Sequence, residues 1–462
     1  MPDGRRARPV LVLVRTLAAA AVILVSALGC AGCWDYHELE DYLHVGIVGV
    51  DKGTRPGWFK VTIMVVEPRT GSVGGAGGST SGEGPGSLVL ATGTAEGPTL
   101  MAAAQATDLA SNRIATFAHT EVIIIGEELA REGIGPLMDA LGRTRDLRRS
   151  VLLAVTDGET AESVLETVRS DVETSTVSYI TGLIDSKCTE QGVTHKALAH
   201  DALIAYGNLG QEIVLPLLKT VPKPPMPQPP GQGGGGGSSG GGAGGGGGGA
   251  GGGGGGSGGG GGARGAGEAA AAQPQKAPTQ KRAEASGLAV FRDDKLVVKL
   301  SGEQAQAWNL VCGKFHRGYF TVSGPATAGT EVHFQLAHVD RRLKVERRGL
   351  LVNIDIDVRC RATLVDLGGP ALIVDPGNLK LVAGLLDSKL ETLMRGVIDV
   401  AKTEVKGDIF DFALSARGTF RDWPEWANYD WNKAFRAANV TVTAHVTDIR
   451  TGLTFQPPSP GE

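Results

Sequence analysis

The stretch 352-VNIDIDVRCRATL-364 alternates without a break. Val352, Ile354, Ile356, Val358, Cys360, Ala362 and Leu364 fall on one face; Asn353, Asp355, Asp357, Arg359, Arg361 and Thr363 fall on the other. A period of two belongs to a strand with one face on a core and one in water, as in an antiparallel sheet. Downstream, Leu379, Val382, Leu386, Leu390, Leu393, Val397 and Val400 recur at spacings of three and four, which predicts a long amphipathic helix. Val440, Val442, Ala444 and Val446 then alternate with Thr441, Thr443, His445 and Thr447 as a closing strand. A long helix laid across an antiparallel sheet is the expected arrangement. Asp355 and Asp357 are paired carboxylates, but Arg359 and Arg361 continue their face, so it reads as solvated and charge-balanced rather than catalytic.

Working upstream, 288–291 and 296–300 flank Arg292-Asp293-Asp294-Lys295 as a hairpin, and a helix is expected near 302–310. Before the hairpin the composition changes. Pro222, Pro224, Pro225, Pro227, Pro229 and Pro230 make a stiff extended segment, and residues 231–263 are almost pure Gly with a few Ser and Ala. Such a tract cannot bury enough apolar surface to offset its ordering entropy, so disorder is expected. Roughly 33 flexible residues span on the order of 30 Å. The region ahead of it alternates element types: a strand pair at 44–50 and 59–66 around Gly53, Pro56 and Gly57, and a Gly/Ser loop near 71–87. A helix at 98–110 with Pro98 in its first turn, a strand at 119–125, a broken helix at 127–141, a strand at 151–155 and a helix at 160–168 follow. This argues for an α/β layer. The fold class is therefore mixed α/β (α+β) and multidomain. An N-terminal α/β region is joined by a disordered Pro/Gly linker to a C-terminal antiparallel sheet with a long packed helix.

The first residues are of another kind. Arg5, Arg6, Arg8 and Arg15 precede an apolar run, 17–28, and then Gly29-Cys30-Ala31-Gly32-Cys33. The run is short for a membrane span and right for a signal peptide, and small residues before a cysteine are what lipoprotein processing requires. Cys30 and Cys33 both follow glycine; Cys33 is favoured because the polar sequence Trp34-Asp35 begins directly after it. The competing reading is an uncleaved N-terminal anchor. Either way the folded part is expected outside the cytoplasm. The leader carries a net charge of +3 (those four arginines against Asp3), so the formal −4 of the whole chain becomes −7 without it. An acidic chain has no general electrostatic reason to bind nucleic acid.

Cys188, Cys312 and Cys360 are scattered singly, which is not a disulfide framework; a Cys312–Cys360 bridge is the alternative, against which Cys360 continues an apolar face and reads as a buried free thiol. No metal-ligand spacing and no nucleophile, phosphate or dinucleotide motif in its proper context is present, so catalytic residues, metal and cofactor are all assigned as none. His119 reads as a hydrogen-bonded core or edge histidine. Two surface candidates remain. Arg143, Arg145, Arg148 and Arg149 could meet anionic headgroups or a partner's acidic loop, against the plainer reading of solvated arginines at a helix end. Trp423, Trp426 and Trp431 could form a partner-binding patch, against the plainer reading of a core cluster.

Cys33-Trp34-Asp35-Tyr36-His37-Glu38-Leu39 and then 45-VGIVGVD-51 resemble the opening of the Ger(x)C family of spore germination lipoproteins. His119 with 122–126, 129-LAREGI-134, the hairpin 287-GLAVFRDDKLV-297, Asp408-Ile409-Phe410, Trp423-Pro424 with Trp426, and Trp431 with Phe435 follow in the family's order. Val65-Val66-Glu67-Pro68, Asp411, Ala413 and the Gly tract depart from its pattern. The resemblance implies a signal peptide at 1–32, an N-terminal germination-protein region at 33–221, a linker at 222–282, a C-terminal domain at 283–455 and a tail at 456–462. It favours Cys33 as the lipidated residue, carrying fatty acyl (palmitate) chains. It further implies a non-enzymatic subunit of a nutrient germinant receptor, lipid-anchored on the outer face of the spore inner membrane, the extracytoplasmic side of that cell membrane. Its implied partners are integral membrane receptor subunits, with Trp423, Trp426, Trp431, Arg145 and Arg148 as candidate contact residues. The alternative function is a substrate-binding lipoprotein of a membrane transporter, which would need two lobes on a defined hinge.

Overall fold

The computed structural model describes residues 7–29, 38, 41–67, 89–107, 113–168, 175–223, 281–324, 330–349, 351–367 and 376–451. Helix α1 (Ala7–Gly29) carries the leader's apolar run, and its described side chains, 12–26, are all exposed.

The first sheet grows from β1 (Tyr42–Lys52), β2 (Phe59–Glu67) and β3 (Val89–Gly97), paired antiparallel in sequence order. Helix α2 (Leu100–Ala106) starts two residues after Pro98, which lies ahead of the helix rather than in its first turn: Thr99 is its cap, its hydroxyl accepting the Ala102 N–H, because a side-chain acceptor satisfies a free helix donor and proline offers none. Strand β4 (Ile114–Thr116) pairs with the first residues of β1. Then β5 (Val122–Ile125), α3 (Glu127–Glu132), α4 (Gly135–Arg143), β6 (Leu152–Thr156), α5 (Ala161–Thr167), α6 (Thr176–Ser186), α7 (Ala199–Gly207) and β7 (Val214–Pro222) follow. Strands β1, β5, β6 and β7 lie side by side and parallel. Ile123, Ile125, Leu153 and Val155 point to one face under α2, α3, α4 and α7, while Ile124 and Ala154 point to the other under α5 and α6. Burial on both sides is why these strands read as unbroken apolar runs rather than alternating ones.

The hairpin expected at 288–300 forms as β8 (Lys281–Arg292) and β9 (Lys295–Leu300), and it joins the first sheet. Strand β8 pairs antiparallel with β7 from Val214↔Val290 to Pro222↔Lys281, so residues 223–280 close a hairpin between paired ends. Residues 224–280, with the Gly tract and most of the linker, lie outside the described residues, as does the Gly/Ser stretch near 71–87.

The second sheet runs β10 (Arg317–Val322), β11 (Val332–Arg348), β12 (Leu351–Leu367) and β13 (Asn439–Arg450) in that order. Between them lie α8 (Gly302–Cys312), α9 (Pro376–Val400), α10 (Phe412–Arg417), α11 (Trp423–Ala427) and α12 (Trp431–Ala437). Val352, Ile354, Ile356, Val358, Cys360 and Ala362 are buried under α9, whose Val382, Leu386, Leu390 and Val397 face them. One expectation is corrected. The sheet is mixed rather than antiparallel, since β13 runs parallel to β12 from Asn353↔Asn439 to Thr363↔Arg450. The physical reason is the connection: α9 carries the chain back along the sheet, so the next strand starts from the same end.

The two sheets are not independent. Ala289 and Phe291 of β8 enter the core under α3 and α4, while Leu288 and Val290 enter the core with Trp308, Phe334 and Leu390. Strand β8 is a wall common to both lobes, and α8, buried from Ala305 to Cys312, fills the space between them.

Candidate functional site

The motif residues spaced far apart in the chain meet in pairs. Asp51, at the end of β1, is buried and its carboxylate accepts the Ala161 and Glu162 N–H groups at 2.8 and 2.9 Å, holding the start of α5. Burial pushes its pKa up, and those two N–H bonds pull the other way. Gly126 lies against this carboxylate: a Cβ there would sit 2.0 Å from Oδ1, so only glycine fits. The turn residue Asp294 accepts the Ile134 N–H on its carbonyl at 2.8 Å and the Gly135 N–H on its carboxylate at 3.2 Å, fixing the start of α4 to the β8–β9 hairpin. Asp408, fully buried, accepts from Phe410 N, Ala413 N and the Trp431 indole Nε1 at 2.9, 2.7 and 2.9 Å. Burial drives its pKa up to about 7. Trp308 of α8 donates its indole N–H to the Ile409 carbonyl at 2.7 Å.

The lobe junction is completed by buried Glu212. It accepts the Asp293 N–H at 2.8 Å and pairs with Arg292 at 2.9 Å, while Arg292 also donates to the Lys406 carbonyl. Beside it a cavity of about 240 Å³ is lined by His195, Gln211, Trp308, Lys314, Ile409 and Asp411. His195 packs 5.1 Å from the Trp308 ring, and burial, with the Lys314 charge second, pushes its pKa down to about 3, so it is neutral. Neutral imidazole, indole and a Lys314–Asp411 pair at 3.6 Å make a packed joint with no nucleophile–base pair. A second cavity, of about 560 Å³, lies between the β1–β2 turn, α2 and α4. Its walls are Trp58, Leu100, Met101 and Leu129, and its cations are already paired: Lys52 with Glu128 and Glu132, and Arg143 with Asp139.

Other sequence candidates are placed as follows. Trp426 and Trp431 are 3% and 2% exposed, their ring centroids 6.0 Å apart and tilted within the C-terminal core; Trp423 is 51% exposed with Arg417 over its ring. Two of the three thus lie in the core, and Trp423 alone of them is exposed at the surface. Arg145 and Arg148 are exposed in the loop after α4, with Arg149 beside them. His119 is exposed, edge-on to His44 at 5.1 Å rather than in the core. Asp357 pairs with Arg359 at 3.1 Å on the water face of β12, and Asp355 is exposed there. Cys188, Cys312 and Cys360 are buried free thiols, and burial pushes Cys360 up to about 12. Cys30 and Cys33 lie outside the described residues, as do residues 452–462 with the tail. Among the described residues, no group of three or more His, Cys, Asp and Glu is placed to hold a metal. Sequence reasoning missed Glu212 and Trp308. Neither belongs to a periodic pattern, and the only available signal was a charged residue just ahead of an apolar strand.

Comparison with known proteins bears on both lobes. The spore germination protein N-terminal domain matches residues 35–220, and the C-terminal domain of spore germination B3/GerAC-like proteins matches residues 286–452. Spore germination protein KC of Bacillus subtilis (strain 168) is 29% identical over 156 residues, 33% of this chain and 37% of that protein. The putative spore germination protein YfkR of the same organism is 29% identical over 153 residues, 33% of this chain and 38% of that protein. The aligned part thus spans little more than a third of either relative. A crystal structure of the GerBC protein aligns over 89% of this chain and all of its own, at 15% identity and a TM-score of 0.46.

Proposed function

The chain belongs to the family of GerAC-like spore germination proteins, and from that premise we propose that it is a non-enzymatic, lipid-anchored subunit of a spore nutrient germinant receptor. The observation that carries the reading is the match of the family's N-terminal and C-terminal domains to both lobes, in order, on either side of the Gly tract. In this reading Cys33 carries the lipid, the folded part stands on the outer face of the spore inner membrane, and integral membrane subunits are the partners. Two features support it. The exposed apolar side chains of α1 suit a segment handed to a membrane. The buried acids Asp51, Glu212 and Asp408 are each spent on holding elements together. A transporter-type binding protein closes two lobes on a hinge, whereas here β8 is built into both cores, which leaves no hinge between them.

The test is germination of spores lacking this gene, and of spores carrying Cys33→Ala, under a nutrient trigger and under a trigger that bypasses nutrient receptors. The expected result is loss of the nutrient response alone in the deletion, with the Cys33→Ala strain reporting the need for the anchor. Normal responses to every nutrient tried, in a strain with no other receptor of this kind, would reject the reading.

A further inference from the structure

The loop 144–150 leaves a defined end of the first sheet. Glu121 N donates to the Gly46 carbonyl and Leu152 N to the Glu121 carbonyl, so β5 and β6 start level with one another opposite Ile47, and β1 reaches beyond them at this end as far as Tyr42. Residues 144–150 lead into β6 at that end. The stretch is pinned by its backbone: Val151 N donates to the Arg148 carbonyl at 3.2 Å and His200 N to the Arg149 carbonyl at 2.9 Å. The chain enters β1 at Tyr42 from the same end. From Cys33 to Asp41 it can extend by at most about 28 Å. A tether this short brings the entry end of the sheet to the membrane and turns the far end away. Pro222, Lys281 and the turn between β1 and β2 lie at that far end.

Arg145, Arg148 and Arg149 are exposed at the tethered end, and none is in an ion pair among the described residues. Arg143, by contrast, is held by Asp139 at 2.9 Å. Asp146 is the loop's own acid, and Glu38, Asp41 and Glu121 lie at the same end, so the basic patch is local to the loop. An exposed arginine with no acidic partner is a fork of donors suited to phosphate oxygens. The negative potential of an anionic bilayer falls off within about 10 Å, so only residues at the tethered end can feel it.

We propose that Arg145, Arg148 and Arg149 form a membrane-facing contact that takes the phosphate groups of anionic lipids, standing the molecule on the bilayer with the β1–β2 turn pointing away. This rests on the anchored reading above and adds an orientation to it.

The test uses the mature lipidated protein in vesicles, labelled with a fluorophore at Ser150→Cys or, as the far-end reference, at Pro56→Cys; both positions are exposed, and the native thiols are buried. Headgroup-attached quenchers are placed in phosphatidylglycerol-containing or in purely phosphatidylcholine vesicles. The expected result is quenching at position 150 severalfold above that at position 56 in anionic vesicles. It should fall in phosphatidylcholine, at high salt, and in the Arg145→Gln, Arg148→Gln, Arg149→Gln triple variant, whose unchanged melting curve certifies its fold. Equal quenching at 150 and 56 overturns the orientation. Quenching at 150 that ignores lipid charge and the triple substitution overturns the headgroup contact, since the tether alone then explains it. Quenching that appears only after the membrane subunits are added assigns the patch to a protein partner and also overturns it. Protein that does not stay on the vesicles at all refutes the anchor reading itself, a separate and distinguishable failure.

Discussion

Shortening the segment between Pro222 and Lys281 should stabilise the fold, by an amount the topology dictates. The segment joins neighbouring residues of one antiparallel ladder, so its length enters stability as a closure term and not as a distance to be spanned. Deleting residues 231–263 cuts the closing loop from about 58 residues to about 25, slightly more than one halving, and each halving of a flexible loop returns about 0.6 kcal/mol. The expected gain is about 0.7 kcal/mol. Cutting to roughly eight residues is close to three halvings and should return about 1.7 kcal/mol, before stiffness of so short a loop intervenes. Urea unfolding of the chain from Trp34 onward, followed by tryptophan emission, resolves such differences as shifts in midpoint at constant slope. Stability plotted against the logarithm of loop length should be a falling line of slope near 0.9 kcal/mol. A flat line would mean that the segment links lobes folding independently of each other, and the β7–β8 ladder would then be wrong. A loss of several kcal/mol on deletion would mean that the Gly tract makes contacts the fold depends on.

Further outcomes follow from the same ladder and from the lobe junction. Proteolysis confined to residues 224–280 should give two fragments that co-elute under native conditions and separate in denaturant, because β8 lies in both cores; separation under native conditions counts against it. Trp431→Phe removes one of the three donors to the buried Asp408 carboxylate and should cost about 2 kcal/mol in urea unfolding, whereas Trp423→Ala should stay within about 0.5 kcal/mol. Equal costs would contradict the burial described. For Asp408, burial raises the folded-state pKa to about 7, above the unfolded carboxyl's 3.8. The unfolded state therefore gives up its proton first, and stability is lost as pH rises from about 4 to about 7. Asp408→Asn should flatten that part of the pH–stability curve, and an unchanged slope between pH 4 and 7 would rule out a raised pKa.

What the sequence made legible was what is local. The alternation of 352–364 and the three-four spacing of 379–400 reappear as β12 and α9, because a single face of each is buried and the pattern survives intact. Strand β11, equally long, shows no such pattern. The ladder slips between Ala337 and Asp340, where His338 takes a φ of 51°, so the buried face changes parity partway along. The pairing of β8 with β7 was hidden for another reason: register across some 58 residues leaves no trace in either strand, and the Gly tract suggested a border where the sheet in fact continues. The two tryptophan helices were more readable than they looked. Asp422 and Asp430 each stand just ahead of a Trp and cap α11 and α12 by accepting the Glu425 and Lys433 N–H groups, so their side chains announce helix starts.

The family-like residues teach a further point about where function can reside. Asp51 with Gly126, Asp294 with Ile134 and Asp408 with Trp431 are motif residues that meet one another, and each meeting fastens an element to the fold. Their hydrogen-bonding capacity is consumed inside the protein, so little of it is left for a ligand or a partner. A subunit that acts by contact must use groups the fold has not already spent. By that criterion the exposed indole of Trp423 and the unpaired arginines at 145, 148 and 149 are the stronger candidates, although sequence pattern alone marks them faintly. They sit on different lobes, and the two lobes share the wall of β8. A lipid contact at one and a protein contact at the other would therefore be held in fixed relation to each other, which is what a subunit must provide if it is to report one surface's occupancy to the other.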